Sequence, residues 1–142
     1  MKEVRLNIGC GDDIKDDMIN VDELETEGSE MVVDIGSRKL PFRDKTVDYI
    51  LCKHVLEHLD YDEAKFAMDE MWRVLKDSGE AEFFTPHKDV ESALDFGHKT
   101  LWSEKSWEFF GKESLHRVKL WEIKELRRNQ RGDLYCRAVP KK

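Results

Sequence analysis

The sequence has few of the residues that staple or interrupt a fold. Its three cysteines, Cys10, Cys52 and Cys136, are odd in number, far apart and without a Cys-x-x-Cys pair, which excludes a disulfide framework and a zinc knuckle and leaves reduced thiols. Prolines are as rare, and with no Pro/Gly/Ser-rich linker, repeat or low-complexity segment, residues 1–142 read as a single domain. No apolar run approaches the roughly 20 residues that a membrane helix needs. Met1-Lys2-Glu3-Val4 leads into a strand rather than a signal peptide, so the expected location is cytoplasmic.

What is present is globular in kind. Charged and apolar residues each make up 39%, with seven Phe, four Trp and three Tyr to fill a core, a composition too rich in aromatics for disorder. The net charge of −7 is unevenly spread: residues 1–35 hold eleven acids against three bases, and residues 115–142 hold nine bases against three acids. The basic residues alternate with apolar ones at strand spacing, which favours a solvated hairpin face. A nucleic-acid partner for the hairpin around Arg127, Arg128 and Arg131 is the weaker reading.

The stretch Leu6-Asn7-Ile8-Gly9-Cys10-Gly11-Asp12 organises the rest. Val4, Leu6 and Ile8 alternate with Arg5 and Asn7 as a strand does, and the glycines permit backbone angles and a close approach that a side chain would forbid. Ile19-Asn20-Val21-Asp22 and Met31-Val32-Val33-Asp34-Ile35 read as two more short strands, each reaching an Asp. The seven residues between Gly11 and Ile19 are too few for a crossover helix. Leu40-Pro41-Phe42 makes a rigid apolar turn, and Val47 to Cys52 is a fourth strand running into Lys53-His54-Val55-Leu56-Glu57-His58-Leu59.

Asp60 and Glu63 have capping-box spacing, with apolar residues from Ala64 to Leu75 at helical intervals and Gly79 expected to close the helix. Glu80 to Thr85 is a fifth strand stopped by Pro86, and His87 to Leu101 is loop with at most a turn of helix. Ser103 is an N-cap for a helix over 104–110, with Trp102 and Trp107 spaced as a hydrophobic staple rather than as a stacking pair for substrate. Strands over 118–123 and 134–139, joined by a turn at 127–132, end the chain.

Taken in order, these segments resemble the class I S-adenosylmethionine-dependent methyltransferases, small members of the type 11 kind. Leu6 to Gly11 is similar to the family's first motif, Asn20-Val21-Asp22 to its acidic second-strand end and Val33-Asp34-Ile35 with Leu40-Pro41-Phe42 to its third-strand motif. Val47 to Leu59 resembles the fourth-strand stretch, and Trp72 to Glu80 the helix-turn-strand before strand five. The resemblance implies an α/β Rossmann-like sheet, mostly parallel, with a C-terminal antiparallel hairpin.

It also implies S-adenosylmethionine as cofactor, leaving as S-adenosylhomocysteine. Asn7, Gly9, Cys10 and Gly11 would meet its methionine part, Asp22 its ribose hydroxyls, and Asp34 and Ile35 its adenine, with Leu40 and Phe42 walling the ring. Backbone at Cys52, Lys53 and His54 would face the reacting end. If a catalytic base is needed, His54 or His87 is the candidate. The acceptor is not identified, and no Asn-Pro-Pro-Tyr-like signature follows strand four.

Plainer readings stand beside these. Asp22 and Asp34 would serve equally well as turn caps. Leu56 and Leu59 fit a core, Glu57 and His58 fit the start of a helix, and His116 and Trp121 fit strands; His87 and His98 are undecided. His54 and His58 are the only histidine pair with metal-ligand spacing on one element, and with Glu57 the only nearby acid no metal is expected. A dinucleotide-binding domain is disfavoured, since Ile14 stands at the third glycine position and the acidic loop would repel a pyrophosphate.

The chain departs from the family by beginning at strand one and by lacking room for helices after strands one and two. Reduced helices on one face, with Arg5, Asn7, Asn20, Asp48 and Glu82 at alternating positions, predict a sheet packed on one side and wet on the other. A second copy or a partner protein would cover that face. The alternative to an enzyme is therefore a non-catalytic member of the fold acting as a binding or partner subunit.

Overall fold

The structure, a computed structural model, describes residues 2–112 and 117–142; His116 lies outside them. Seven strands form one sheet in the order β3-β2-β1-β4-β5-β7-β6. The strands are β1 (Arg5–Ile8), β2 (Ile19–Asp22), β3 (Met31–Val32), β4 (Val47–Lys53), β5 (Leu75–Pro86), β6 (Trp121–Arg128) and β7 (Asp133–Pro140). β3 to β5 in that order pair parallel, and β7 runs antiparallel to both β5 and β6. Two α-helices occur among the described residues, α1 (Tyr61–Val74) and α2 (Glu104–Gly111), with 3-10 turns at Leu56–His58 and Glu91–Leu94.

The helices start where their side chains dictate. The Asp60 carboxylate accepts from the Glu63 amide at 2.8 Å while Glu63 reaches back to the Asp60 amide at 3.0 Å, so two otherwise orphaned donors are satisfied. Ser103 caps α2 through the Lys105 amide, and the Trp102 and Trp107 rings meet at 5.3 Å as a staple. The expected stop at Gly79 is corrected: α1 ends at Val74, and Leu75 already has extended backbone and begins β5. Gly79 sits inside that strand, where a Cβ would press at 3.1 Å on the Asp48 and Lys76 carbonyls.

Strand bounds also differ from expectation in β3 and in the hairpin. β3 stops at Val32 because the Asp34 carboxylate accepts from the Gly36 amide and the Ser37 hydroxyl and draws the chain into a turn. The hairpin strands extend to Arg128 and resume at Asp133, with Asn129 Oδ1 accepting from the Arg131 and Asp133 amides to tighten the turn at 129–132.

One side of the sheet carries the core. Leu6, Ile8, Ile50, Cys52, Ala81, Phe83 and Cys136 lie in one cluster with Met68 and Met71 of α1 and Trp107 of α2, all buried. The opposite side has no helix over it among the described residues. There Tyr49 and Tyr135 both donate to the Glu82 carboxylate, Arg5 stacks on Tyr49, Arg127 on Tyr135 and Lys53 over Phe84. Asp48 leaves this row: it sits at a register shift, and its carboxylate takes the Val4 amide and the Lys76 ammonium.

Where crossover helices would lie, polar side chains hold the loops. Asn7 and Asn20 are buried on the helix-poor side; Asn7 donates to the Asp13 carbonyl at 2.7 Å and to Asn20 Oδ1 at 3.0 Å. Asn20 also bonds both the amide and the carbonyl of Lys15, the Met18 carbonyl and Glu30. On the other side, Glu70 of α1 accepts from the Leu40 amide and Arg73, and Arg73 donates to the Leu40 and Phe42 carbonyls. Burial alone would raise the Glu70 carboxyl, but the hydrogen bonds from Arg73 and Leu40 outweigh it and hold it below the usual range.

Asn20→Ala leaves half-buried backbone groups of Lys15 and Met18 without their partner and should cost about 1–2 kcal/mol in urea unfolding. Glu70→Gln should likewise destabilise, and with a pH signature. Because the folded-state carboxyl is depressed, its contribution is full above the unfolded value of about 4.3 and is lost as pH falls through the folded one. The stability gap between wild type and Glu70→Gln is therefore expected to close on acidification, as read from unfolding midpoints across the acid range.

Candidate functional site

An open cleft of about 270 Å³ lies over the carboxyl ends of β1 to β4, where the strand order reverses between β1 and β4. That is where parallel α/β sheets leave room for ligands, since the chain departs in opposite directions from the two central strands. Each strand delivers its first post-strand residues to the lining: Gly9 after β1, Asp22 and Glu23 at the end of β2, Val33, Asp34 and Ile35 after β3, and His54 and Val55 after β4. His58, Leu59, Glu63 and Lys99 close the far wall.

The backbone at these strand ends is in the left-handed region. Gly9 has φ of 70° and Gly11 of 48°, and His54 adopts 56° without being glycine, a conformation that costs energy and collects at functional sites. A Cβ on Gly9 would lie 2.1 Å from a Val55 methyl and 4.0 Å from the Lys53 carbonyl, whereas one on Gly11 would meet nothing within 4 Å. Gly9 is thus the point where the two central strand ends touch.

The acids are partly committed. Asp22 accepts from the Gly11 amide through Oδ2 at 2.8 Å and from the Leu24 amide through Oδ1 at 3.1 Å, which fixes the glycine loop to β2. Asp34 holds its own turn in the same way. Turn capping and ligand contact are compatible, because each ionised carboxylate oxygen keeps a further acceptor site.

His54 bridges two elements: its Nδ1 faces Glu57 Oε2 at 3.2 Å and its Nε2 faces Asp133 Oδ2 at 3.5 Å. The hydrogen bond with Glu57 raises its pKa above the ordinary value against the opposing effect of burial.

Of the residues singled out in the sequence, Gly9, Asp22, Asp34, Ile35 and His54 come together in this cleft. Asn7 does not; it faces the other side of the sheet in the asparagine pair. Cys10 and Cys52 are buried, and burial pushes both thiols up. Leu40 is buried in the core cluster beneath α1, and the Lys53 side chain lies over Phe84 on the helix-poor face, so neither side chain lines the cleft.

His87 is also elsewhere. It is buried with Nε2 against Glu104 at 2.7 Å and Nδ1 accepting from the Asp89 amide at 3.1 Å, which pins the β5 end to α2. Leu56 is core as expected, Trp121 is a buried strand residue, and Leu59 is both buried and part of the cleft wall. Sequence reasoning missed Glu63 and Lys99. Glu63 was absorbed by its capping role, and Lys99 reaches the cleft only because its amide bonds the Glu57 carbonyl at 2.7 Å.

The contact at Gly9 makes a comparative prediction. Gly9→Ala must displace Val55 and keep a left-handed alanine, and should cost about 2 kcal/mol or more, whereas Gly11→Ala meets only the backbone strain of about 1 kcal/mol. Chemical unfolding of the two variants checks the ranking, and equal costs would show that Val55 moves freely.

Three comparisons bear on this geometry. Residues 6–83 match the family model of the methyltransferase domain, Methyltransf_11. An uncharacterized protein of Methanocaldococcus jannaschii is 42% identical over 50 residues, 35% of this chain; the chain thus spans about a fifth of that relative's length, 21%.

Among solved structures, the Burkholderia thailandensis 1,6-didemethyltoxoflavin-N1-methyltransferase with bound S-adenosylhomocysteine superposes with a TM-score of 0.70 at 14% identity, over 98% of this chain and 71% of that one. A chain in the complex containing the Haloferax volcanii Trm112 methyltransferase activator gives 0.68 at 14%, over 99% and 84%. Identities this low speak to the fold alone. With more than half of the chain inside the family model and the fold superposing on its structural neighbours, the chain belongs to the methyltransferase domain family and has the Rossmann-like fold of the class I S-adenosylmethionine-dependent enzymes.

Proposed function

We propose that the chain binds S-adenosylmethionine in the cleft over β1 to β4 and transfers its methyl group to an acceptor not yet identified. The observation that carries this reading is the pairing of a collision-tight Gly9 with an acidic rim of Asp22, Glu23 and Asp34. Such a rim suits a ligand that is cationic at sulfur and amine and carries no phosphate. When bound, the cofactor supplies an electrophilic methyl on a sulfonium.

The chain's own residues do the positioning. Asp22 offers its unused acceptor sites to the two ribose hydroxyls, and Val33 and Ile35 give an apolar slot for the purine with Asp34 at its edge. Gly9 and the Lys53 carbonyl bring bare backbone to the amino acid end. His54 has both ring nitrogens against carboxylates, Glu57 and Asp133, and would have to leave one of them to take a proton from the acceptor.

A second reading is favoured by the helix-poor side of the sheet, which carries Tyr49, Glu82, Phe84 and Tyr135 with no helix over them among the described residues. There the chain would act as a binding or partner subunit, or pair with a second copy. The neighbour in the complex containing an activator protein sets a precedent for assembly on this fold. No helix among the described residues is long and apolar enough to cross a membrane.

Calorimetric titration with S-adenosylmethionine and with S-adenosylhomocysteine separates the readings. Micromolar binding is expected, weakened about thirtyfold in Asp22→Ala, the loss of roughly 2 kcal/mol of charge-assisted hydrogen bonding. A folded wild type that binds neither compound would overturn the enzymatic reading and favour the partner subunit.

A further inference from the structure

The strand-four motif and a distant histidine meet at the cleft wall. Glu57, His58 and His98 each place one ligand atom within 4.8 Å of the other two. The two histidines are forty positions apart in sequence, which is why spacing alone pointed away from a metal. They are joined by the backbone: the Lys99 and Thr100 amides donate to the Glu57 carbonyl at 2.7 and 3.3 Å, and the Thr100 hydroxyl donates to the Leu56 carbonyl at 3.1 Å. The segment carrying His98 is thereby fastened to the 3-10 turn carrying Glu57 and His58, and the two imidazoles stand edge to face at 4.7 Å.

Two buried polar atoms in this cluster have no hydrogen-bond partner among the described residues, Glu57 Oε1 and His98 Nδ1. Glu57 is only 2% exposed. A carboxylate oxygen so placed loses its water without compensation, a penalty that native structures rarely leave standing. The other carboxylate oxygen is engaged by His54 Nδ1 at 3.2 Å, which orients the group as outer-shell partners orient metal ligands. One occupant that accepts lone pairs from Glu57 and His98 would give both residues the partner that these atoms lack.

We propose that Glu57, His58 and His98 form a site for a divalent transition-metal cation of the zinc type. Two imidazoles and one carboxylate are the donor set of open zinc and related sites, whereas magnesium and calcium call for oxygen ligands. The 4.8 Å span is wider than the roughly 3.3 Å edge that zinc–nitrogen bonds of about 2.0–2.1 Å imply. Closing it falls to His58, which is exposed and held only by a 3.4 Å contact between Nδ1 and the Gly97 carbonyl. Three protein ligands leave the ion a position for water or another oxygen donor, and because His58 also lines the cleft, the ion sits at its wall.

The test is titration of the untagged, chelator-stripped protein with Co²⁺, read by its visible absorption, and with Zn²⁺ in competition. One equivalent of Co²⁺ with a four- or five-coordinate spectrum and no thiolate charge-transfer band is expected. Zn²⁺ should displace it and Mg²⁺ should not. His98→Ala, checked for folding by circular dichroism and melting, should weaken binding about tenfold or more, and Glu57→Gln likewise.

Absence of binding to the folded wild type, or binding unchanged in folded His98→Ala and Glu57→Gln, would overturn the site. If a variant fails to fold, His58→Ala at the exposed ligand decides with the same readout. The inference stands apart from the cofactor reading: Co²⁺ binding without S-adenosylmethionine binding would sink that reading alone, and the reverse would sink the metal alone.

Discussion

The upper edge of this fold depends on a side chain that is not there. Val55 occupies the space that any Cβ on residue 9 would fill, with a methyl 2.1 Å from that position. The end of β4 can therefore cross close to the end of β1, and the chain then turns at once into the 3-10 helix of Leu56–His58. His54 accepts a left-handed backbone to make that crossing, with its amide bonded to the Phe84 carbonyl at 2.8 Å. The strand-four wall of the cleft, with His54 and His58, takes its position from this one approach of strand ends.

The second constraint is economy of chain. Parallel strands ordinarily reach one another through helices that cover a face of the sheet. Here the first crossovers are loops, and the work of the missing helices is divided. The buried Asn7 and Asn20 side chains satisfy loop backbone groups on one side, and Glu70 with Arg73 anchor the 40–44 segment to α1 on the other. Hydrogen bonds replace apolar area, which suits short connections because they need only a few fixed side chains. The result is a sheet whose stability on the helix-poor side is polar and geometric rather than hydrophobic.

Much of this was legible in residue order. Strand alternation, the Asp60 capping box and the Ser103 cap with its tryptophan staple are local patterns, and local geometry obeyed them. The same holds for Gly9, Asp22, Asp34, Ile35 and His54, which lie at strand ends that the topology gathers. Misreadings arose where distant partners decide. Gly79 resembles a helix stop, yet the chain was already extended at Leu75, paired with Val47 of β4. His87 resembles a base near the fifth strand, yet Glu104 from α2 claims it. Lys99 carries no local sign at all, because its amide bond to the Glu57 carbonyl brings it to the cleft, with His98 next to it in the chain.

The Glu82 carboxylate on the helix-poor face already receives two phenolic hydroxyls, from Tyr49 and Tyr135, and burial with that carboxylate beside them pushes both phenols up. They stay neutral and spoken for across the whole range in which proteins work. A macromolecule settling on this side would find both phenolic protons of its centre already donated, and would meet chiefly flat ring surfaces and their guanidinium companions at Arg5 and Arg127. Selectivity there would be written in shape and stacking, and such contacts would resist added salt better than an array of exposed ion pairs does.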